Sequence, residues 1–438
     1  MPRSRHVLFT LFAAVVLLVC CTGNLLNAAD ARPNVIFIIS DDQGYTDYGF
    51  MGSKNVRTPN IDKLATESQL YTRGYVMPVC SPSLACLLTG KYPHAHGITG
   101  NDLAHTKKGD PRTPLADKLR SNGLLLPKAL GDAGYLTFQT GKLWNTTYAE
   151  AGFSAGMTDT AGRHGDAGLK IGRQGIKPIF DFIENAREQS KPFFIWYAPM
   201  MPHDPHTPPE RLLAKYRGKG PTPKAEAYYA MVEWFDETVG ELNAYLAKNN
   251  LTENTAIVYL ADNGWDAAKG MPGMRAKLSP YELGIRTPMF VRKPGKPQPQ
   301  RDDETLASIV DFVPTILTIC GLPVPRELPG INMLDHAAMV ARKSIFVEAY
   351  THDIEDLAQP AASLTARVVI DGWSKLLIPG AAAPGMKRAA APATVELFDL
   401  KADPSEATNL ATQKPEEVAR LKSILDAFWT PVAVKEQK

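Results

Sequence analysis

Cys80 opens the stretch Val79-Cys80-Ser81-Pro82-Ser83-Leu84-Ala85-Cys86-Leu87-Leu88-Thr89-Gly90, where a thiol could serve as a nucleophile. Ser81 suits a helix cap, Pro82 the first turn and Gly90 the exit, while Leu84, Leu87 and Leu88 recur at helical spacing. Cys80 is therefore expected just outside a helix N-terminus. Free N–H groups and the positive dipole end would lower its pKa there and offer a seat for an oxyanion. A small buried cysteine is the ordinary alternative for this residue type. Two acidic clusters suggest a second chemistry. Asp41-Asp42 and Asp262-Asn263 bring only oxygen ligands, three of them anionic, which suit a hard divalent cation and not zinc or copper. Either cluster alone would read as a turn or a helix cap, and it is their shared position after buried strands that favours a cation.

Elements that could hold these groups together are visible in the apolar pattern. Residues 34–40, 193–198 and 256–261 are continuous apolar runs of strand length, as in strands buried on both faces of a parallel sheet. The first ends in Asp41-Asp42, the second in Pro202-His203-Asp204-Pro205-His206, the third in Asp262-Asn263-Gly264. Ligand sites of open α/β sheets lie at the C-terminal strand ends, so three clusters distant in sequence can converge. Helical patterns lie between the strands, such as 225–249 with Met231, Val232, Phe235 and Val239 on one face. The fold class predicted is α/β: a large doubly wound, mostly parallel sheet over residues 30–340, then a smaller C-terminal antiparallel sheet plus helix over 341–438. The small sheet is expected from runs at 344–350, 363–370, 373–378 and 394–400. Its helix begins near Pro415 and turns Val418, Leu421, Leu425 and Phe428 inward. The Ala/Pro-rich segment 379–393 is expected as a mobile loop.

Composition narrows the function classes. Arg3 and Arg5, the apolar run from Val7 to Cys21 and the small residues Asn27-Ala28-Ala29 read as a secretory signal over residues 1–29. Its apolar part is short for a membrane span, so an exported protein, periplasmic or extracellular, with no stable membrane span after signal removal is expected. Lipid attachment through Cys20 or Cys21 is the alternative, and Val19 fits that cleavage poorly. Loss of the signal removes two of 48 basic residues and none of 46 acidic ones, so the formal charge falls from +2 to 0. A nucleic-acid partner is therefore not expected. Three cysteines remain, Cys80, Cys86 and Cys320, too few for a disulfide framework. Cys320 reads as helix packing.

The residues and their order resemble the sulfatase family, within the alkaline-phosphatase-like superfamily. The resemblance covers nearly the whole mature chain. It runs from Asp41-Asp42 through Cys80-Ser81-Pro82-Ser83 with Leu88-Thr89-Gly90, and Tyr92-Pro93-His94-Ala95-His96-Gly97. It continues with Gly141-Lys142, Pro202-His203, Asp262-Asn263-Gly264, Lys277, Tyr281-Glu282, Gly284 and Arg286-Thr287-Pro288. It ends in Glu396-Leu397-Phe398-Asp399-Leu400, Asp403-Pro404 and Glu406. The resemblance implies that a maturation enzyme, the formylglycine-generating enzyme or an equivalent, oxidises Cys80 to formylglycine. The hydrated aldehyde would be the nucleophile, next to one calcium ion held by Asp41, Asp42, Asp262 and Asn263 together with the group at Cys80. It further implies that Lys142 and Lys277 offset charge on the transferring group and that His203 protonates the leaving alcohol, with His96 and His206 as substrate contacts. The substrate implied is a sulfated carbohydrate. Two other readings share these residues: a phosphomonoesterase or phosphodiesterase of the same superfamily, and a catalytically weak pseudosulfatase that binds sulfated glycans. Two positions depart from the family. Leu84 stands where arginine is usual, and Asn145 follows Gly141-Lys142 where a histidine is usual. Trp144, Trp196 and Trp265 could line a sugar subsite, although core packing is their ordinary role.

Overall fold

A computed structural model describes residues 32–105, 113–159, 166–267, 275–295, 299–380 and 391–432. The signal segment, its cleavage site and Cys20 and Cys21 lie outside the described residues, as do positions 381–390 of the expected loop. The strands are β1 (Asn34–Ser40), β2 (Gln69–Tyr75), β3 (Asp102–Leu103), β4 (Leu136–Gly141), β5 (Ala155–Gly156), β6 (Phe193–Ala198), β7 (Thr255–Ala261), β8 (Arg286–Arg292), β9 (Gln300–Ser308), β10 (Ser344–Tyr350), β11 (Asp353–Ile354), β12 (Leu364–Asp371), β13 (Ser374–Pro379) and β14 (Glu396–Asp399).

Eight strands form the large sheet in the order β5-β4-β6-β1-β7-β8-β2-β9. Those from β5 to β7 in this order pair in parallel, and β8 runs against both β7 and β2. β1 is apolar throughout because both its faces are covered. Val35, Phe37 and Ile39 pack in one core with the helices Cys80–Thr89, Leu126–Asp132 and Phe312–Ile319. Ile36 and Ile38 pack in a second core with Pro59–Thr66, Lys177–Glu188 and Pro223–Lys248. This is the doubly wound arrangement that continuous apolar strands predict. The helix expected over 225–249 spans Pro223–Lys248, capped by the Thr222 side chain. Its expected single face is divided: Met231, Phe235 and Val239 enter the second core, whereas Val232 packs with Tyr228 and Trp265.

The small sheet has the order β10-β12-β13-β14 and is antiparallel. It too is covered on both faces. Val368, Ile370, Leu377 and Phe398 join the first core, while Val369, Leu376 and Leu397 meet Leu421 and Leu425 of the helix Pro415–Phe428. Val418 and Phe428 are partly buried on that side. A two-stranded parallel pair, β3 with β11, joins residues 102–103 to 353–354. Among the described residues no helix is long and apolar enough to cross a membrane.

Candidate active site

Four neighbouring parallel strands deliver the polar groups. In the order β4-β6-β1-β7 their C-terminal ends lead to Lys142, His203, Asp41-Asp42 and Asp262-Asn263. Ser40 pairs in register with Ala261, so the two acidic clusters emerge side by side. Asp42 takes a left-handed backbone conformation, φ 59°, which aspartate tolerates better than most residues. Its N–H donates to Asp262 Oδ1 at 3.2 Å and its Oδ1 accepts from Asn263 Nδ2 at 2.8 Å. Lys277 arrives from the β7–β8 connection. That segment is fastened beside the Cys80 helix by the Leu278 N–H, which donates to the Pro78 carbonyl at 2.7 Å.

Two buried ammonium groups bind the acids. Lys142 Nζ donates to Asp41 Oδ1 and, at 3.0 Å, to Asp262 Oδ2; Lys277 Nζ donates to both oxygens of Asp42 at 2.6 and 2.8 Å. His203 Nε2 lies 3.4 Å from Asp42 Oδ2. Ligand atoms of Asp41, Cys80 and Asp262 lie within 4.8 Å of one another. Burial raises Asp41 to about 6 even against the Lys142 charge. Burial would also raise Asp42, but Lys277, His203 and Lys142 outweigh it and hold that carboxyl well below the usual range. Burial alone would lower Lys142, Lys277 and His203, yet the neighbouring carboxylates raise all three. Two buried acceptors of this ring have no partner, Asp41 Oδ2 and Asn263 Oδ1. Unpartnered buried oxygens are costly, and together with the carboxylates of Asp42 and Asp262 they form an all-oxygen donor set that fits a hard cation such as calcium.

Several expectations need correction. The helix Cys80–Thr89 begins at Cys80 itself with Val79 at the N-cap, so Ser81 lies inside the helix and does not cap it. Not all the N–H groups of the first turn are open to an oxyanion: that of Ser81 donates to Asn101 Oδ1 at 3.1 Å. Burial pushes the Cys80 thiol up to about 11, with Lys142 and Lys277 offsetting only part of that rise; the expected low pKa is not found. His96 is fully buried, its Nδ1 accepts the Ile98 N–H at 3.0 Å and its Nε2 meets Cys86 Sγ at 3.5 Å. Both ring nitrogens are thus used in packing, and burial keeps the ring neutral with a pKa of about 3. His206 shares the His203 loop; its Nε2 is enclosed and unpartnered, 5.6 Å separates its ring from Tyr228, and burial lowers it to about 4.

The two departures from the family pattern are also placed. Leu84 is buried in the first core, and the Asn145 amide nitrogen is buried without a partner. Trp196 is core, its Nε1 donating to the Lys142 carbonyl at 3.1 Å, and Trp144 lies under the Lys142 ammonium, 5.1 Å from ring centre to Nζ. Trp265 packs with Tyr228. Cys80, Cys86 and Cys320 are buried and form no disulfide with one another. Asn101 was not legible as a site residue. It lies 20 positions beyond Ser81, and its partner His352, whose Nε2 is 3.2 Å from Asn101 Nδ2, comes from the distant β10–β11 connection.

Comparison with known proteins agrees with this arrangement. The family model described as Sulfatase matches residues 33–322. N-acetylgalactosamine-6-sulfatase of Canis lupus familiaris is 26% identical over 367 residues, covering 73% of this chain and 69% of the relative. N-acetylglucosamine-6-O-sulfatase of Bacteroides thetaiotaomicron is 24% identical, covering 94% and 88%. The crystal structure of Ps i-CgsB superposes with a TM-score of 0.71 at 25% identity, over 91% of this chain and 93% of that one. With the match extending from β1 to the helix Phe312–Ile319, and so over every strand end that carries a site group, the chain belongs to the sulfatase family and is a sulfuric ester hydrolase.

Proposed function

We propose that this protein removes sulfate from carbohydrates, with formylglycine at Cys80 as nucleophile and one calcium ion as cofactor. The observation that carries this reading is the convergence beside Cys80 of two buried lysines, a histidine and an oxygen-only acidic ring with unpartnered acceptors. The carbohydrate substrate is supported by the names of the two relatives, both of which act on 6-sulfated N-acetylhexosamines. A thiol is a poor calcium ligand and, with its pKa pushed to about 11, a poor nucleophile at neutral pH. Both objections are removed if an aldehyde hydrate takes its place.

Asp41, Asp42, Asp262 and Asn263 would hold the ion, which when bound supplies a Lewis acid towards a sulfate oxygen. Formylglycine, as its hydrate, would supply two hydroxyls, one as the nucleophile towards sulfur and a second whose deprotonation would allow the aldehyde to re-form with release of sulfate. Lys142 and Lys277 are placed to offset the negative charge of the transferring group. His203, whose pKa Asp41 and Asp42 raise, would donate a proton to the departing alcohol. His206 lies on the loop after β6 at the same end of the sheet and is proposed to contact the leaving sugar. His96 is not retained in that role. The N-terminal charge and apolar pattern support export to the periplasm or beyond, and the modification requires a maturation enzyme as partner.

The test is a mature chain produced with a formylglycine-generating enzyme and assayed for sulfate release from a 6-sulfated N-acetylhexosamine, with and without chelator, alongside mass spectrometry of the Cys80 peptide. Calcium-dependent release together with the aldehyde mass is expected. Full activity with an intact Cys80 thiol would overturn the nucleophile. Calcium-dependent binding of sulfated glycan without release would overturn the hydrolytic role, and preferred cleavage of phosphate esters the sulfate assignment.

A further inference from the structure

The loop that carries His203 is poor in backbone donors of its own. Pro199, Pro202, Pro205, Pro208 and Pro209 lack N–H donors, so few backbone hydrogen bonds can form within it and its carbonyls need a donor from elsewhere. Arg173 supplies one. Its Nη1 donates to the Pro205 carbonyl at 2.8 Å and Thr207 Oγ1 at 2.9 Å, and its Nη2 to the carbonyls of Met200 at 2.9 Å and His203 at 2.8 Å. One planar guanidinium thus gathers four acceptors spread over eight residues, a geometry that an ammonium point charge does not reproduce.

The segment presenting Arg173 is fitted to the loop as well. Gly172 and Gly175 exchange backbone hydrogen bonds of 3.1 and 3.2 Å across a tight turn with Arg173 at its tip. Gly172 has φ +81°, and a Cβ there would come within 2.8 Å of Met201 Sδ. On its other side the loop is tied to the metal-ligand end of β1 by the Asp41 N–H, which donates to the Met201 carbonyl at 3.0 Å.

We propose that Arg173 is a positioning residue for proton donation to the leaving alcohol: by fixing the Met200–Thr207 backbone it sets where His203 Nε2 stands over the sulfate ester. This inference rests on the reading of His203 as general acid. The hydrogen bonds of Arg173 go to this loop and not to Asp41, Asp42, Asp262 or Asn263. Its effect should therefore follow the proton demand of the leaving group and disappear when His203 is gone.

The experiment compares wild type, Arg173→Ala, Arg173→Lys, His203→Ala and the double variant Arg173→Ala/His203→Ala on a series of sulfates running from nitrophenyl esters to unactivated sugar esters. All are prepared as matured, calcium-loaded enzyme, with melting temperatures recorded. Arg173→Ala is expected to lower kcat on sugar sulfates roughly 10- to 100-fold more than on nitrophenyl sulfate, a part of the factor typical of general acid catalysis. Arg173→Lys should shift the same ratio in the same direction, and it provides the reading if the alanine form folds poorly. The double variant should be no slower than His203→Ala. Losses that multiply in the double variant, or that are equal across the ester series, would overturn the proposal. If His203→Ala itself shows no dependence on the leaving group, the general-acid reading fails, and this inference fails with it. If His203→Ala shows the dependence and Arg173→Ala does not, only the inference fails.

Discussion

Asp42 illustrates how one residue can be held by many. Both its oxygens accept from Lys277, one also accepts from Asn263, His203 faces the other, and its N–H binds Asp262. Opposite charges make the ring tolerable in the interior: the acids of Asp41, Asp42 and Asp262 face the ammoniums of Lys142 and Lys277, with the His203 ring beside Asp42. Asp262, a proposed ligand, bonds Lys142 and the Asp42 N–H through its carboxylate. Asp262→Ala is expected to lose bound calcium and to lower activity roughly 100-fold or more, with the far-UV spectrum retained, because a ligand and not a core side chain is removed. Metal content and sulfate release measured on one preparation check this. His203→Ala is expected to slow unactivated sulfates by roughly 10²- to 10⁴-fold and activated aryl sulfates much less, since only the former need a strong acid. A slope of log kcat against leaving-group pKa measures the difference.

At the scale of the element, the helix Cys80–Thr89 is unusual in having all ten residues buried. It has no solvent face on which a charged residue could be added without cost. Leu84 packs there with Leu87, Leu88 and the helix Phe312–Ile319, occupying the place where the family usually has arginine. Leu84→Arg is therefore expected to destabilise the fold by at least about 1.5–3 kcal/mol, the value of one buried leucine, before any cost of enclosing a guanidinium. Urea denaturation of both forms measures the loss. Mass spectrometry of their Cys80 peptides measures, independently, whether arginine raises the formylglycine fraction, as expected if the maturation enzyme grips it.

At the scale of the molecule, one apolar core runs from the large sheet into the small one, and a buried ionic knot crosses the same boundary. Lys375 on β13 is fully buried, with Nζ 3.1 Å from Glu282 Oε1 and 2.6 Å from Glu406 Oε1. Glu406 in turn accepts the Glu282 N–H at 2.7 Å, and Glu282 accepts from Tyr75 at 3.1 Å. Since Glu282 begins the turn that follows the Lys277 segment, the C-terminal sheet helps to fix that side of the active site. Lys375→Met should cost about 3–5 kcal/mol, because Glu406 is left buried without its cation and Glu282 keeps only Arg286, 3.6 Å away. Adding Glu282→Gln and Glu406→Gln should recover part of it. Denaturation midpoints of the single and triple variants decide the matter.

What the sequence by itself determined was local. Continuous apolar runs identify β1, β6 and β7, because a strand covered on both faces has no polar side to show. The acids following two of those runs announced the ring at the strand ends, and alternating short runs the C-terminal sheet. Tertiary structure decided everything that depends on distance through space. The pairing of Lys142 with Asp41 and Asp262 joins residues 101 and 120 positions apart. The rise of the Cys80 pKa follows from burial, which helix position alone could not reveal. His96 follows the Cys80 helix closely in sequence yet turns into the core, and Asn101 and Arg173, which carry no motif, reach the Cys80 helix and the His203 loop through hydrogen bonds. Side-chain type and spacing report what a segment can do. Desolvation and the fields of distant charges decide what it does, and these exist only once the chain has folded.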